Sequence, residues 1–343
     1  LFHFASAEEH FAEHLAPVWH ALPERVRGEF WTAPNLVEFA RTLVPTAEVR
    51  PRWVRVERGD YVVVAGEGDR KALPGVPIVR FEHGVGMSYA GMVNVPVGAP
   101  RRAIEGVRTH PSYPGGRGQR GVKLFCSPNR YSDDRWKAPY PGTPSEIVGT
   151  PKLDRIHNAP PKVRSNPPVV AVSFHADISI AVEASSAFPD YADVLPSLAK
   201  RTDIQLIAHA HPRARNQVRP FYDEHGIEFV ERFTEVMELA DLYAMDNSST
   251  LYEFASLDRP VVVINRDVYR RDVHHGLRFW EHSGVGVNCD RPKDLNKAID
   301  TALEDPPEFQ EARRLATKDC YPYRGRASQR AAEVMMSLER VAV

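Results

Sequence analysis

The sequence reads as an α/β protein made of two Rossmann-like, doubly wound domains. Three observations carry this. Short Val- and Ile-rich runs alternate with helical patterns throughout the 343 residues. The same rhythm occurs in each half. A proline-rich stretch separates the halves: residues 157–168, His-Asn-Ala-Pro-Pro-Lys-Val-Arg-Ser-Asn-Pro-Pro, hold four prolines. Consecutive prolines disfavour both helix and ladder pairing, so this segment reads as an extended linker. The expected division is residues 1–156, linker 157–168, residues 169–325 and a closing helix within 326–343.

In the first half the expected strands are Leu1–Ser6, Glu29–Ala33, Tyr61–Ala65, Ile78–Glu82, Lys123–Cys126 and Glu146–Val148. In the second they are Val169–Phe174, Ile204–His209, Ile227–Val230, Leu242–Met245, Val261–Asn265 and Val285–Cys289. Apolar runs of this length with little alternation suit strands covered on both faces, as in parallel sheets. Helical patterns lie between them at Ala7–Leu22, Asn35–Leu43, Tyr191–Lys200, Phe233–Ala240, Thr250–Ser256 and Pro292–Leu303, and Ala327–Arg340 is a last helix. Strand–helix alternation implies right-handed βαβ crossovers. In such sheets ligands bind beyond the carboxyl ends of the strands, which makes the residues just after each strand the ones to examine.

Composition narrows the function. Lys plus Arg is 44 and Asp plus Glu 45, a formal charge of −1, which disfavours a globally basic nucleic-acid binder. No apolar run approaches the roughly 20 residues of a membrane helix. Leu1–Phe4 lacks the basic flank of a secretion signal. Three widely spaced cysteines, Cys126, Cys289 and Cys320, argue against a disulfide framework and a zinc ribbon, and a reducing cytoplasm is the expected location.

Three segments combine a strand end with reactive side chains. In Phe81-Glu82-His83-Gly84-Val85-Gly86, His83 follows a strand at once, where a general base is useful, and Gly84 allows close approach of a ligand. The same pattern also suits a histidine that caps a turn. The glycine spacing is not the dinucleotide fingerprint. In Ile207-Ala208-His209-Ala210-His211-Pro212, His209 and His211 are a tempting metal pair, but two ligands are not a site, and His211 at the strand tip suits donation to a phosphate. In Met245-Asp246-Asn247-Ser248-Ser249-Thr250, with Glu253 one turn on, three hydroxyls open a helix and form a candidate anion site; a plain cap with Glu253 as capping-box partner fits equally. Asp272–Gly276 reads as a polar surface loop. No GxSxG, P-loop or CxxC is present.

Taken in order, five segments resemble the CDP-glycerol glycerophosphotransferase family, the teichoic-acid primases and polymerases of GT-B-like fold. They are His83-Gly84, Gly149-Thr150-Pro151-Lys152-Leu153-Asp154, the strand ending at His211-Pro212, Asp246-Asn247-Ser248-Ser249 with Glu253-Phe254 and Pro260, and Tyr323-Arg324-Gly325-Arg326-Ala327-Ser328-Gln329-Arg330. The chain departs from the pattern at Asn247, where the family usually has Tyr, and at Arg324, where it usually has an acid. It also has Ser173–Asp177 where the family commonly has Pro-Thr-Trp/Tyr-Arg. The resemblance implies a transferase moving a glycerophosphate-like or glycosyl group from a nucleotide-activated donor to a hydroxyl. His83 would be the base and His211 would steady the donor phosphate. Ser248 and Ser249, with Asp246 and Thr250 beside them, would hold the diphosphate, and Glu253 would contact ribose. No metal or other cofactor is expected, because fixed donors can stabilise the developing charge. A nucleotide-sugar 2-epimerase and a non-catalytic nucleotide- or sugar-binding protein are the alternatives. Residues 101–137 carry nine positive and three negative charges. This segment is either a solvated surface or a guide, through Arg117 and Arg120 beside Gly84, for an anionic acceptor such as a phosphate-bearing polymer, a lipid-linked phosphate at the inner membrane face, or a nucleic acid.

Overall fold

A computed structural model describes residues 1–51, 56–66, 69, 73, 75–84, 119, 121–137, 140–177, 185–246, 248–267, 269 and 284–341. These residues divide into two compact units, one from within 1–85, 111–158 and 319–343, the other including 159–318.

The first unit holds an all-parallel sheet with the order β3-β2-β1-β4-β5-β6-β7. Its strands are β1 Phe2–Ser6, β2 Arg27–Thr32, β3 Val49–Arg50, β4 Tyr61–Val64, β5 Ile78–Phe81, β6 Val122–Ser127 and β7 Ser145–Ile147. All expected strands are present; β3 is additional. Helix α1 (Glu9–Ala21) buries Phe11, Leu15 and Val18, a spacing of three to four residues that gives one apolar stripe against the sheet. The extended turn at Leu22-Pro23 ends it. Helices α2 (Val37–Leu43), α3 (Arg130–Lys137) and α4 (Asp154–His157) complete the chain up to the linker.

The second unit repeats the plan. Its strands β8 Val169–Phe174, β9 Gln205–Ala210, β10 Glu228–Phe229, β11 Leu242–Met245, β12 Val261–Ile264 and β13 Val287–Cys289 form a parallel sheet in the order β10-β9-β8-β11-β12-β13. Every residue of β8, β11 and β12 is buried, as strands covered by helices on both faces require. The helices are α5 (Phe188–Tyr191), α6 (Leu195–Ala199), α7 (Arg215–Glu224), α8 (Phe233–Leu239), α9 (Thr250–Ala255), α10 (Leu295–Leu303) and α11 (Pro307–Cys320). The proline-rich linker begins on the last residue of α4, His157, and has no helix or strand from Asn158 to Pro168. Its end is tied to this unit by Asp241, whose carboxylate accepts from the Lys162 ammonium and, at 2.8 Å, from the Val169 amide.

The last helix, α12 (Ala327–Val341), returns to the first unit. Its Ala331, Ala332, Val334 and Met335 join the core formed by Phe11, Leu15 and the strands. Asp154 holds its start. One carboxylate oxygen accepts from the Ala327 amide at 2.9 Å, and the other from the Ser328 amide at 2.7 Å and the Ser328 hydroxyl at 2.6 Å. Gly149 makes the approach possible: its φ is +85°, and a Cβ there would stand 2.9 Å from that of Ala327. Asn158 Nδ2 adds a 2.7 Å bond to the Gly325 carbonyl. The Gly149–Asp154 and Tyr323–Arg330 segments are therefore one structural lock.

Asp154→Ala removes the cap and is expected to destabilise the protein by about 1–2 kcal/mol, with Ser328→Ala costing less. Urea denaturation of both variants checks this; an unchanged midpoint for Asp154→Ala would show that the cap contributes nothing.

Candidate active site

In the first unit the chemistry-bearing residues collect where β4 and β5 end and α1 begins. His83 follows β5 with one residue between. Its Nδ1 lies 3.3 Å from the Ala65 carbonyl and 3.7 Å from a Glu82 carboxylate oxygen. Both neighbours accept, so Nδ1 carries the proton and Nε2 is the basic nitrogen. The ring packs edge-on to Phe11 at 4.7 Å and to His10 at 5.9 Å between centroids. Desolvation by these walls pulls the basicity of His83 below the ordinary histidine value; Lys152 and Arg80 act the same way, and Glu82 and the Ala65 carbonyl oppose them. A neutral imidazole with a directed Nε2 is the form a general base needs.

His14 was not anticipated. It lies on α1, is fully buried, and neither ring nitrogen has a hydrogen-bond partner among the described residues. Burial pulls its basicity well down, and Lys152, His83 and His10 add to this. No sequence pattern distinguishes a core histidine on an apolar helix stripe from a surface one. Asp69, which accepts from the Ala7 amide at 3.0 Å, is pushed up to about 7 by burial and by Glu8.

In the second unit the ends of β9, β8 and β11 lie side by side, where the chain order reverses about β8. His211 follows β9. Its Nδ1 accepts from the Arg213 amide at 3.2 Å, which puts the proton on Nε2. His209 does not share its surroundings: it is buried, its Nδ1 donates to the Val230 carbonyl at 2.9 Å, and burial pulls it down to about 4. No group of three metal-ligating side chains occurs among the described residues.

Asp246 follows β11 at once and is fully buried. Its carboxylate accepts from the His175 amide at 2.9 Å and the Ala187 amide at 2.8 Å, which fixes the loops after β8 and before α5. Its visible work is to shape the site. Ser248 is buried beside it and accepts from the Thr250 amide at 3.3 Å and the Thr250 hydroxyl at 3.0 Å. Thr250 also meets the Tyr243 hydroxyl at 3.1 Å. Ser249 reaches the Glu253 carboxylate at 3.5 Å, and Glu253 is only 1% exposed. The capping arrangement and the hydroxyl cluster are thus both present. Gly84 stands at the end of the described first-unit segment. Arg117, Arg120, Asn247 and the Asp272–Gly276 loop lie outside the described residues, as does most of 101–137.

Two all-parallel doubly wound units with reactive side chains at the strand ends define the class: a GT-B-type α/β fold. Residues 190–337 match the family model described as CDP-glycerol:poly(glycerophosphate) glycerophosphotransferase. The expectation of a transferase acting on a nucleotide-activated donor stands on that match. No curated protein sequence matches significantly. Among solved structures, the wall teichoic acid polymerase TagF is similar at TM-score 0.66 and 14% identity, covering 100% of this chain and 90% of that one. S. aureus MnaA in its UDP co-structure is similar at TM-score 0.61 and 14% identity, covering 99% and 97%. The UDP-GlcNAc 2-epimerase from Neisseria meningitidis, bound to UDP-GlcNAc, gives TM-score 0.58 at 12% identity over 99% of both chains. At these identities the likeness establishes the fold.

The buried histidines make stability depend on pH. His14 and His209 are held neutral in the folded state, whereas unfolded histidine takes a proton near pH 6.5. Their contribution is fully present above about pH 6.5 and is lost as pH falls toward their folded values. For His209, from 6.5 to about 4, that is about 3 kcal/mol. Asp69 works the other way, its contribution being lost as pH rises through about 7. Urea unfolding from pH 7 to pH 4 is expected to show a steady loss of stability that is less steep in His209→Gln; equal slopes would contradict the assignment.

Proposed function

We propose that this protein transfers a glycerophosphate-like or glycosyl group from a nucleotide-diphosphate-activated donor to a hydroxyl acceptor. The observation that carries the reading is the gathering of His211, Ser248, Ser249 and Thr250 at the carboxyl edge of the second sheet, inside the segment that matches the transferase family. The second unit holds the donor. Hydroxyls of Ser248, Ser249 and Thr250 donate to the diphosphate, and the His211 Nε2–H meets the charge that grows on the leaving nucleotide. His83 supplies the base: its Nε2 takes the acceptor's hydroxyl proton as the oxygen attacks. The new bond forms to the β-phosphorus of a CDP-glycerol-like donor, or to the anomeric carbon of a nucleotide sugar. The bond to the nucleotide breaks and its electrons leave with the nucleotide. We assign no step to a metal ion, so turnover in the presence of a chelator belongs to the proposal. Among the described residues no helix is long and apolar enough to cross a membrane.

Incubation with CDP- and UDP-activated donors, scored for released nucleotide and for product, tests the reading. Transfer to an added hydroxyl acceptor supports it, and C2 epimerisation of a nucleotide sugar would replace it by the alternative. His83→Ala is expected to lower turnover by about 10²–10⁴-fold while donor affinity, read by calorimetry, stays unchanged. In the native enzyme the acid limb of the pH–rate profile should lie below 6.5, because His83 is held neutral; Lys152→Met should move it upward by removing a repelling charge.

The double variant Ser248→Ala, Ser249→Ala is expected to weaken nucleoside diphosphate binding by roughly 1.5–3 kcal/mol for a lost bond to a charged group. The nucleoside without phosphates should bind both proteins alike. Equal losses for nucleoside and diphosphate would remove these hydroxyls from the phosphate site.

A further inference from the structure

The carboxyl edge of the second sheet presents two imidazoles. Strands β8 and β9 are parallel neighbours, with Phe174 opposite Ala210 in register. The next residue on β8 is His175 and on β9 His211, so the pleat delivers both side by side. Their ring centroids are 4.7 Å apart. The backbone fixes what each offers. His175 Nδ1 lies 2.7 Å from the Ala176 carbonyl, which only accepts, so Nδ1 carries the proton. That leaves Nε2 of neutral His175 a lone pair, with no hydrogen-bond partner among the described residues. His211 is the opposite tautomer, with its proton on Nε2. The first imidazole is thus an acceptor and the second a donor, 4.7 Å apart.

We propose that His175 is a phosphate-binding residue of the donor site that takes up a proton when a nucleoside diphosphate binds, so that His175 and His211 together present two N–H donors to the anion. This rests on the reading that the second unit holds a nucleotide-activated donor. A lone pair facing a phosphate oxygen repels it; one added proton converts the same nitrogen into a charge-assisted donor. The groups around His175 suit such a switch. Without ligand, burial and Arg213 keep it neutral; Asp246, Asp177 and the Ala176 carbonyl favour the charged form. A bound dianion adds to the second set and tips the balance. Asp246 also grips the His175 amide, so the ring is carried on a fixed backbone. His175 stands in the segment where the chain departs from the pattern of the family it resembles, so no role passes to it from that resemblance.

The test is calorimetry of CDP and of UDP binding near pH 7 in buffers of different ionisation enthalpy, which counts protons exchanged. The native protein is expected to take up a substantial fraction of one proton per nucleotide. Its affinity should fall as pH rises from 6 to 8, approaching about tenfold per unit where uptake is complete. Cytidine and uridine should show neither effect. His175→Asn retains a donor for the Ala176 carbonyl and is expected to bind with little proton uptake and a flat pH dependence, and His175→Gln likewise; His211→Gln should weaken binding while uptake persists. Nucleotide binding without proton uptake in the native protein overturns the inference and leaves the donor reading standing, as does unchanged uptake in both His175 variants. Failure of both nucleotides to bind overturns the donor reading and the inference with it.

Discussion

A carboxylate that gathers backbone amides organises this molecule. Asp154 accepts from the first two amides of α12, and through that contact the C-terminal segment is fastened into the first unit's core. The same residue ends the turn that carries Lys152, whose charge bears on both His14 and His83. Asp241 and Asp246 repeat the device in the second unit, tying the linker's end and the loop after β8. The logic is common to the three. A helix start, the first residue of a strand and the loop after one all leave backbone amides to be satisfied, and one carboxylate can accept from several at once. Loops held in this way keep reactive side chains at fixed positions on the strand ends.

Burial then sets the protonation of those side chains. His83, His14, His175 and His209 are all pulled below the ordinary histidine value, with desolvation first among the causes. The consequences differ with the partners. His209 donates to a carbonyl inside the fold and has no exposed work to do. His83 and His175 each donate through Nδ1 to a carbonyl at a strand end, which points a basic Nε2 elsewhere. Depressed basicity alone therefore does not separate a structural histidine from one at a strand end; the surroundings of the second ring nitrogen do.

Most strands were legible because both faces of a parallel sheet are covered, so the chain shows an apolar run that polar turns delimit. The two-residue β3 was not, since Val49 alone is buried there and no run forms. Helix α7 escaped because only Val218 and Tyr222 are buried along it and Pro220 lies inside. In α11 the buried set includes Arg313, which pairs with Asp305 at 2.7 Å, so its inward face does not read as apolar. The closing helix was visible as a helix, but its return to the first unit was not, because an apolar stripe does not name its partner. The strand-end histidines His83 and His211 were legible from position. His14 and His175 were not: one differs from a core residue only by its missing hydrogen bonds, and the other gains meaning only when register places it beside His211.

The motif residues therefore divide by what they touch. Asp154, Gly149 and Gly325 build a lock between two distant segments of one unit. Asp246, inside the Asp-Asn-Ser-Ser run, spends its carboxylate on two amides, while Glu253, one turn on, is buried against Ser249. Ser248 is buried and accepts from the Thr250 amide and hydroxyl, while Ser249 and Thr250 are half-buried. A short motif thus combines a residue whose carboxylate shapes the loop with hydroxyls that bond to one another at the helix start. Substitution of Asp246 releases the His175 and Ala187 amides together, because one carboxylate holds both.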